Sequence, residues 1–170
     1  MSEPCFQPEN SGVSWALVPT LFSPLRLRTP HRRREVPVPT LTGIAHITLS
    51  VRDRDDSVDF YRDVLGFREY ETTDDSRWLR TLCRHPTGLL LYLTQHRDHF
   101  NARFDHRHAG VDHLAFAVSS LGELEEWERR LDDFDVEHSP IVHRAHGSLV
   151  MFEDPDGIQL ELYCPPARED

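Results

Sequence analysis

The 170-residue chain contains no lysine. All 19 basic side chains are arginines, set against 29 acids, for a formal net charge of −10. That balance argues against nucleic acid as a partner, because a phosphate backbone is met by a basic face. Cysteine is scarce: Cys5, Cys83 and Cys164 are odd in number, far apart and never in a CxxC pair. Neither a disulfide framework nor a cysteine zinc site is indicated, and a reducing cytoplasm is the expected setting. No apolar run approaches the length of a membrane span, so no membrane partner is expected. The length allows one domain or two small, intimate halves.

The first 40 residues differ from the rest. They hold seven of the twelve prolines, five arginines and three acids, whereas the remaining 130 residues carry 14 arginines and 26 acids. This stretch has no sustained helical or strand period, and its apolar run Trp15-Ala16-Leu17-Val18 is broken by Pro19 without a basic segment before it. Residues 1–40 are therefore expected to be a disordered extension and 166–170 a tail, flanking a folded domain over 41–165.

From Thr42 onward the chain repeats itself. Gly43-Ile44-Ala45-His46-Ile47-Thr48-Leu49-Ser50-Val51 matches Gly110-Val111-Asp112-His113-Leu114-Ala115-Phe116-Ala117-Val118 at an offset of 67. Both segments alternate as strands do. Each then enters a helix, expected over 55–65 and 121–131. Val58, Tyr61 and Leu65 form one stripe, and Leu124, Trp127 and Leu131 the other. Ser120 and Glu123 have the capping-box spacing, Gly66 closes the first helix, and Asp132 takes the matching place in the second. Later, Pro86-Thr87-Gly88 and Pro155-Asp156-Gly157 each turn into a final strand. Two further strands fit between helix and turn, near 67–72 and 77–83 in one copy and 136–141 and 148–153 in the other. The expected fold is α+β: two tandem strand-helix-strand-strand-strand modules, over 41–97 and 110–165, forming a cupped mixed sheet. The polar segment 97–109 reads as the loop between them.

Alternation divides the side chains. The Ile/Leu/Val face of each sheet goes against its helix. The other face carries His46, Thr48, Tyr92, Thr94, His96, His113 and Glu161. Two imidazoles at equivalent repeat positions and a mid-strand carboxylate make a three-ligand site suited to Fe(II), Mn, Zn, Ni or Co, with positions open for substrate. The alternative is that each His is hydrogen-bonded within the core and Glu161 pairs with an arginine.

These residues resemble the vicinal oxygen chelate superfamily, which includes glyoxalase I, extradiol dioxygenases, fosfomycin-resistance transferases and bleomycin-binding proteins. The resemblance rests on the two Gly-x-x-His strands, on Phe60-Tyr61-Arg62-Asp63-Val64-Leu65-Gly66-Phe67, and on Asp154-Pro155-Asp156-Gly157 followed by Leu160-Glu161-Leu162. It implies a metal-dependent enzyme acting on a small molecule that chelates the ion through oxygens, and a homodimer. His46, His113 and Glu161 take the ligand positions; the fourth, a Glu in glyoxalase I, is Tyr92 here.

Three ligands favour dioxygenase-like chemistry, with a glyoxalase-like lyase or isomerase, a transferase, or a metal-free binding or resistance protein as alternatives. His143 and His146 are the candidate acid/base groups, and Tyr92, His96 and Thr48 the candidate substrate contacts. Where the extradiol signature places a Tyr, this chain has Met151. His99, His106 and His108 belong to the loop, His85 has a structural place in its turn, and Trp78 either lines the cup or packs.

Overall fold

A computed structural model describes residues 38–166. The expected extension and tail therefore lie largely outside the described residues. The chain divides into two units between Leu41 and Thr42, and all the helices and strands of the described residues belong to the second.

The first module runs β1 (Ile47–Ser50), α1 (Arg54–Asp63), β2 (Arg68–Asp74), β3 (Trp78–Arg84) and β4 (Leu90–His96). The second runs β5 (His113–Ala117), α2 (Leu121–Asp133), β6 (Val142–Arg144), β7 (Gly147–Glu153) and β8 (Gln159–Cys164). Each forms its own four-stranded mixed sheet, ordered β1-β4-β3-β2 and β5-β8-β7-β6. In both, the first strand runs parallel to the last, as the crossover through the helix requires.

Local chemistry sets the helix limits. Asp53 caps α1 by accepting from the backbone N–H groups of Asp55 and Asp56. Ser120 caps α2 by accepting from Glu123 N, while the Glu123 carboxylate reaches back to Ser119 rather than to the cap residue itself. Gly66, at φ +78, ends the first helix in the left-handed region. The second helix runs past the expected Asp132, and the left-handed residue is Asp135 at φ 52. Aspartate tolerates that conformation better than most side chains.

The strand expected over 136–141 is reduced to a single bridge between His138 and Phe152, and regular pairing begins only at Val142. Pro140 has no N–H to give a ladder. Ile141 N donates to the Glu128 side chain and Met151 N to the Ser139 hydroxyl, so side chains replace sheet partners there.

The modules share one core. Leu49, Val51, Leu91 and Leu93 of the first sheet join Val150, Phe152, Leu160 and Leu162 of the second, together with Val58, Tyr61, Leu124 and Leu131 of the helices. Phe60 packs on Phe152, Phe67 lies edge-on to Phe116, and Arg130 of α2 donates to the Val64 carbonyl after α1. The modules thus meet through their helix-covered sides, and their polar faces turn outward.

A polar hook fixes this packing. The Asp154 carboxylate, buried in the turn between β7 and β8, accepts from Asp156 N and Ile158 N through Oδ1 and from the Tyr61 hydroxyl through Oδ2. Arg52 meets the same turn, donating through Nε to Asp156 at 2.6 Å and through Nη2 to the Pro155 carbonyl. The twin positions hold His85 and Thr87 in the turn, and Trp127 and Ser119 in the other module. A cleft of about 310 Å³ opens there, lined by Phe67, His85, Leu89, Phe116 and Trp127.

Burial raises the Asp154 pKa from 3.8 to about 6, outweighing the hydrogen bonds that favour the anion. Between those values the folded state holds a proton that the unfolded chain has lost. The stability from this group is full below about pH 4 and falls by about 3 kcal/mol as pH rises through 6. Urea unfolding at pH 4.5, 5.5 and 7 is expected to show this decline in the wild type and not in Asp154→Asn; equal slopes in both would refute the assignment. Tyr61→Phe is expected to cost about 1–3 kcal/mol, because it leaves a buried carboxylate oxygen without its donor.

Candidate functional site

Strand pairing fixes which side chains share the polar faces. On the second sheet His113 lies opposite Gln159, and Ala115 opposite Glu161. His113 and Glu161 are thus one diagonal step apart on the same face, with Tyr163 beyond. They line a cleft of about 610 Å³ with Asp112, Glu137, Met151 and Glu153. The His113 ring is held at Nδ1 by the Asp112 carboxylate at 2.7 Å, which leaves Nε2 outward. Among the described residues, Glu161 has no hydrogen-bond or ion-pair partner for its carboxylate. An imidazole oriented by a carboxylate beside an unpaired carboxylate fits a divalent ion. No arginine among the described residues takes the place of that ion as its partner.

His46 precedes β1 on the equivalent face of the first sheet, exposed, its ring edge-on to Tyr92 at 5.3 Å. Thr48 pairs with Tyr92, and Ser50 with Thr94. His96 shares this face, with Nε2 3.3 Å from the Ser50 hydroxyl. Trp78 lies opposite His96, so it lines the face rather than packing under it. Within one chain, then, His46, Thr48, Tyr92 and His96 come together, and so do His113 and Glu161. The two groups stay apart: among the described residues no three His, Cys, Asp or Glu side chains lie close enough to hold one ion.

The two acid/base candidates part company. His143 pairs with Ser148, and Ser148 with Cys164, which is buried on the helix-covered side. Its Nδ1 lies 2.8 Å from the Ser148 hydroxyl, and it lines a cleft with Ser119, Ser120 and Leu121 at the start of α2. His143 therefore stands on the sheet side opposite Glu161, because the shortened β6 sets its register by Arg144↔Gly147. His146 occupies the tight turn between β6 and β7, where its carbonyl accepts from the Tyr163 hydroxyl. Other described histidines have local settings: His85 bonds the Thr87 hydroxyl, His99 accepts from Asn101 N, His138 bonds Asp132, and His106 and His108 are exposed in the connecting loop.

Sequence reasoning passed over Arg80. It pairs with Thr94 across the ladder, donates to the Thr94 hydroxyl at 2.8 Å, and lies over the rings of Trp78 and Tyr92. Its position two residues from Trp78 in an alternating strand was the available signal.

A family model, the glyoxalase/bleomycin resistance protein/dioxygenase superfamily, matches residues 43–162. The chain belongs to this superfamily. Similar members include the metallothiol transferases FosB of Bacillus licheniformis, 27% identical over 129 residues (72% of this chain, 75% of that protein), and of Staphylococcus saprophyticus, 29% identical over 127 residues (72% and 77%). Among solved structures, a glyoxylase/bleomycin resistance protein/dioxygenase domain from Frankia sp. EAN1pec superposes with a TM-score of 0.71 at 30% identity, covering 75% of this chain and all of that one. A variant of the fosfomycin resistance protein FosX from Listeria monocytogenes, complexed with Mn(II) and 1S,2S-dihydroxypropylphosphonic acid, shares the superfamily fold with a TM-score of 0.57 at 24% identity, covering 73% and 90%.

One backbone position beside this face admits no side chain. Gly147, at φ +147, would place a Cβ 2.5 Å from the Cys164 carbonyl and 2.7 Å from the Tyr163 hydroxyl. Gly147→Ala must displace Tyr163 from beside Glu161. It is expected to lower the melting temperature by several degrees and to change tyrosine fluorescence; an unchanged melt would contradict the close approach.

Proposed function

We propose that this superfamily member is a metal-dependent enzyme that adds a nucleophile to a small molecule chelating a divalent ion through its oxygens. His46, His113 and Glu161 hold the ion, and the complete site forms between two chains. The observation that carries the reading is the pairing of His113, oriented by Asp112, with an unpartnered Glu161 on one outward face, while His46 sits on the equivalent face of the other sheet. Because the two sheets meet through their covered sides, a second chain must bring a first-module face to a second-module face. Strands β1 and β5 end their sheets and keep one unpaired side each, which suits such a joining.

A bound divalent ion would polarise substrate oxygens and stabilise negative charge developing on them. The chain's residues do the rest. Asp112 fixes the His113 ring. Thr48, Ala115 and Ala117 keep the floor of the face low, and Tyr92 and His96 stand at its sides as substrate contacts. His146, whose turn is tied to Tyr163 through its carbonyl, is the imidazole we assign to carry a proton. Addition is favoured over ring cleavage by the kinship with proteins named as metallothiol transferases. It is favoured also by His143, which would supply the acid/base group for ring cleavage but stands behind the sheet.

The test has two arms. Wild type, His46→Ala, His113→Ala, Glu161→Gln and His143→Ala are loaded with Mn(II), desalted and analysed for metal. The first three variants are expected to lose at least tenfold in affinity, and His143→Ala is expected to match the wild type. Next, unfolded His46→Ala and His113→Ala are mixed and refolded together. A site shared between chains restores one intact site in each mixed dimer, so the mixture regains Mn(II) that neither variant binds alone. No regain would place the site within one chain, and no metal on the wild type would end the enzyme reading.

A further inference from the structure

We infer that the substrate carries an oxyanion group, and that Arg80 is the residue that binds it. The inference rests on the proposed reading of the outward faces as the site, and extends it to the class of substrate.

The two faces differ in charge. The second-module face gathers Asp112, Glu137 and Glu161 around His113, a setting for a cation, with Glu153 beside them already paired to Arg103. The first-module face carries Arg80 and, further along the same strand, Arg84, beside His46 and His96. Glu71 is the acid on this face, opposite Leu82 rather than Arg80. Apposed, the faces would offer a small molecule a cation site on one wall and a guanidinium on the other.

Arg80 is built to receive an anion. Seven of the thirteen arginines among residues 38–166 pair with a carboxylate, including Arg77, which stacks on Trp78 and pairs with Asp75. Among the described residues, Arg80 has no carboxylate within ion-pair distance. Its one protein hydrogen bond runs from Nε to the Thr94 hydroxyl at 2.8 Å, and Thr94 is fully buried. That bond anchors the side chain while leaving the two terminal nitrogens uncommitted. The Trp78 ring lies 4.7 Å from the guanidinium carbon and the Tyr92 ring 5.6 Å from it. Aromatic walls fix the plane of the fork, which favours a bidentate bond to a carboxylate, phosphonate or phosphate.

The probes are inorganic phosphate, methylphosphonate and acetate, titrated calorimetrically into metal-free full-length protein, wild type and variant. The wild type is expected to bind at least one of them, and the preferred probe tells a tetrahedral from a planar oxyanion. Arg80→Met is expected to weaken that binding at least tenfold. Arg80→Lys, which keeps the charge and loses the fork, is expected to fall between. Melting curves establish that each variant is folded, and Mn(II) binding to Arg80→Met is expected to equal the wild type. Binding of every oxyanion equally by the wild type and Arg80→Met, or by none of the proteins at millimolar concentration, would overturn the inference. A protein that binds oxyanions through Arg80 but no Mn(II) would retain the inference and lose the metal-enzyme reading. A protein that binds Mn(II) but shows no dependence on Arg80 would do the reverse.

Discussion

The Asp154 carboxylate, closed on three sides by Tyr61 and two backbone amides, is the contact on which the arrangement of the domain depends. A repeat of two like modules has no intrinsic reason to pack one way. Each presents an apolar side under its helix and a polar side without one. The hook between the second module's turn and the first module's helix selects the packing in which the apolar sides meet. Everything about the site follows, because the residues with chemistry are then carried outward on two separated faces.

The hook also breaks the symmetry of the repeat. Where the second turn offers Asp154 and Asp156, the first offers His85 and Thr87. Where the first module answers with Tyr61 and Arg52, the second has Trp127 and Ser119. One side is polar, filled and tightly bonded; the other is aromatic and leaves a cleft. Desolvation there also holds the His85 imidazole toward its neutral form, and the charge that joins the modules on this side is Arg130, donating to the Asp63 and Val64 carbonyls. The domain is thus pinned at one end by a buried carboxylate and at the other by a guanidinium on backbone carbonyls, despite a nearly two-fold plan.

Much of this was legible in the sequence because the signals were periodic. Alternation assigned His46, Thr48, Tyr92, His96, His113 and Glu161 to polar faces; pairing registers put the last five there, and the ring contact with Tyr92 puts His46 beside them. The helical stripes found Tyr61, Leu124 and Leu131, each wholly buried. What sequence could not give was register across a gap. His143 is suggested by the likeness of its spacing to the extradiol signature, which carries no strand register; the pairing Arg144↔Gly147 sets its side, and a one-residue shift would reverse it. Nor could spacing find Arg80, since nothing in one dimension shows which arginine is held between aromatic rings on the outward face. The separation of His46 from His113 and Glu161 was likewise beyond reach: two equivalent faces can be read from a repeat, but whether they belong to one cup depends on which sides the modules use to meet.

The four strand edges are not alike. The edge at β2 is broken by a bulge at Tyr70 and lined with Arg68, Glu69, Glu71 and Asp74. The edge at β6 is three residues long and begins close after a proline. Both are poor templates for another strand. The opposite edges, β1 and β5, are free of proline, bulge and formally charged side chains. A chain whose sequence guards two of its edges against stray pairing and leaves two bare has written on itself where adhesion is permitted. The same bare edges that would join it to its twin are where it would coagulate if the twin were missing.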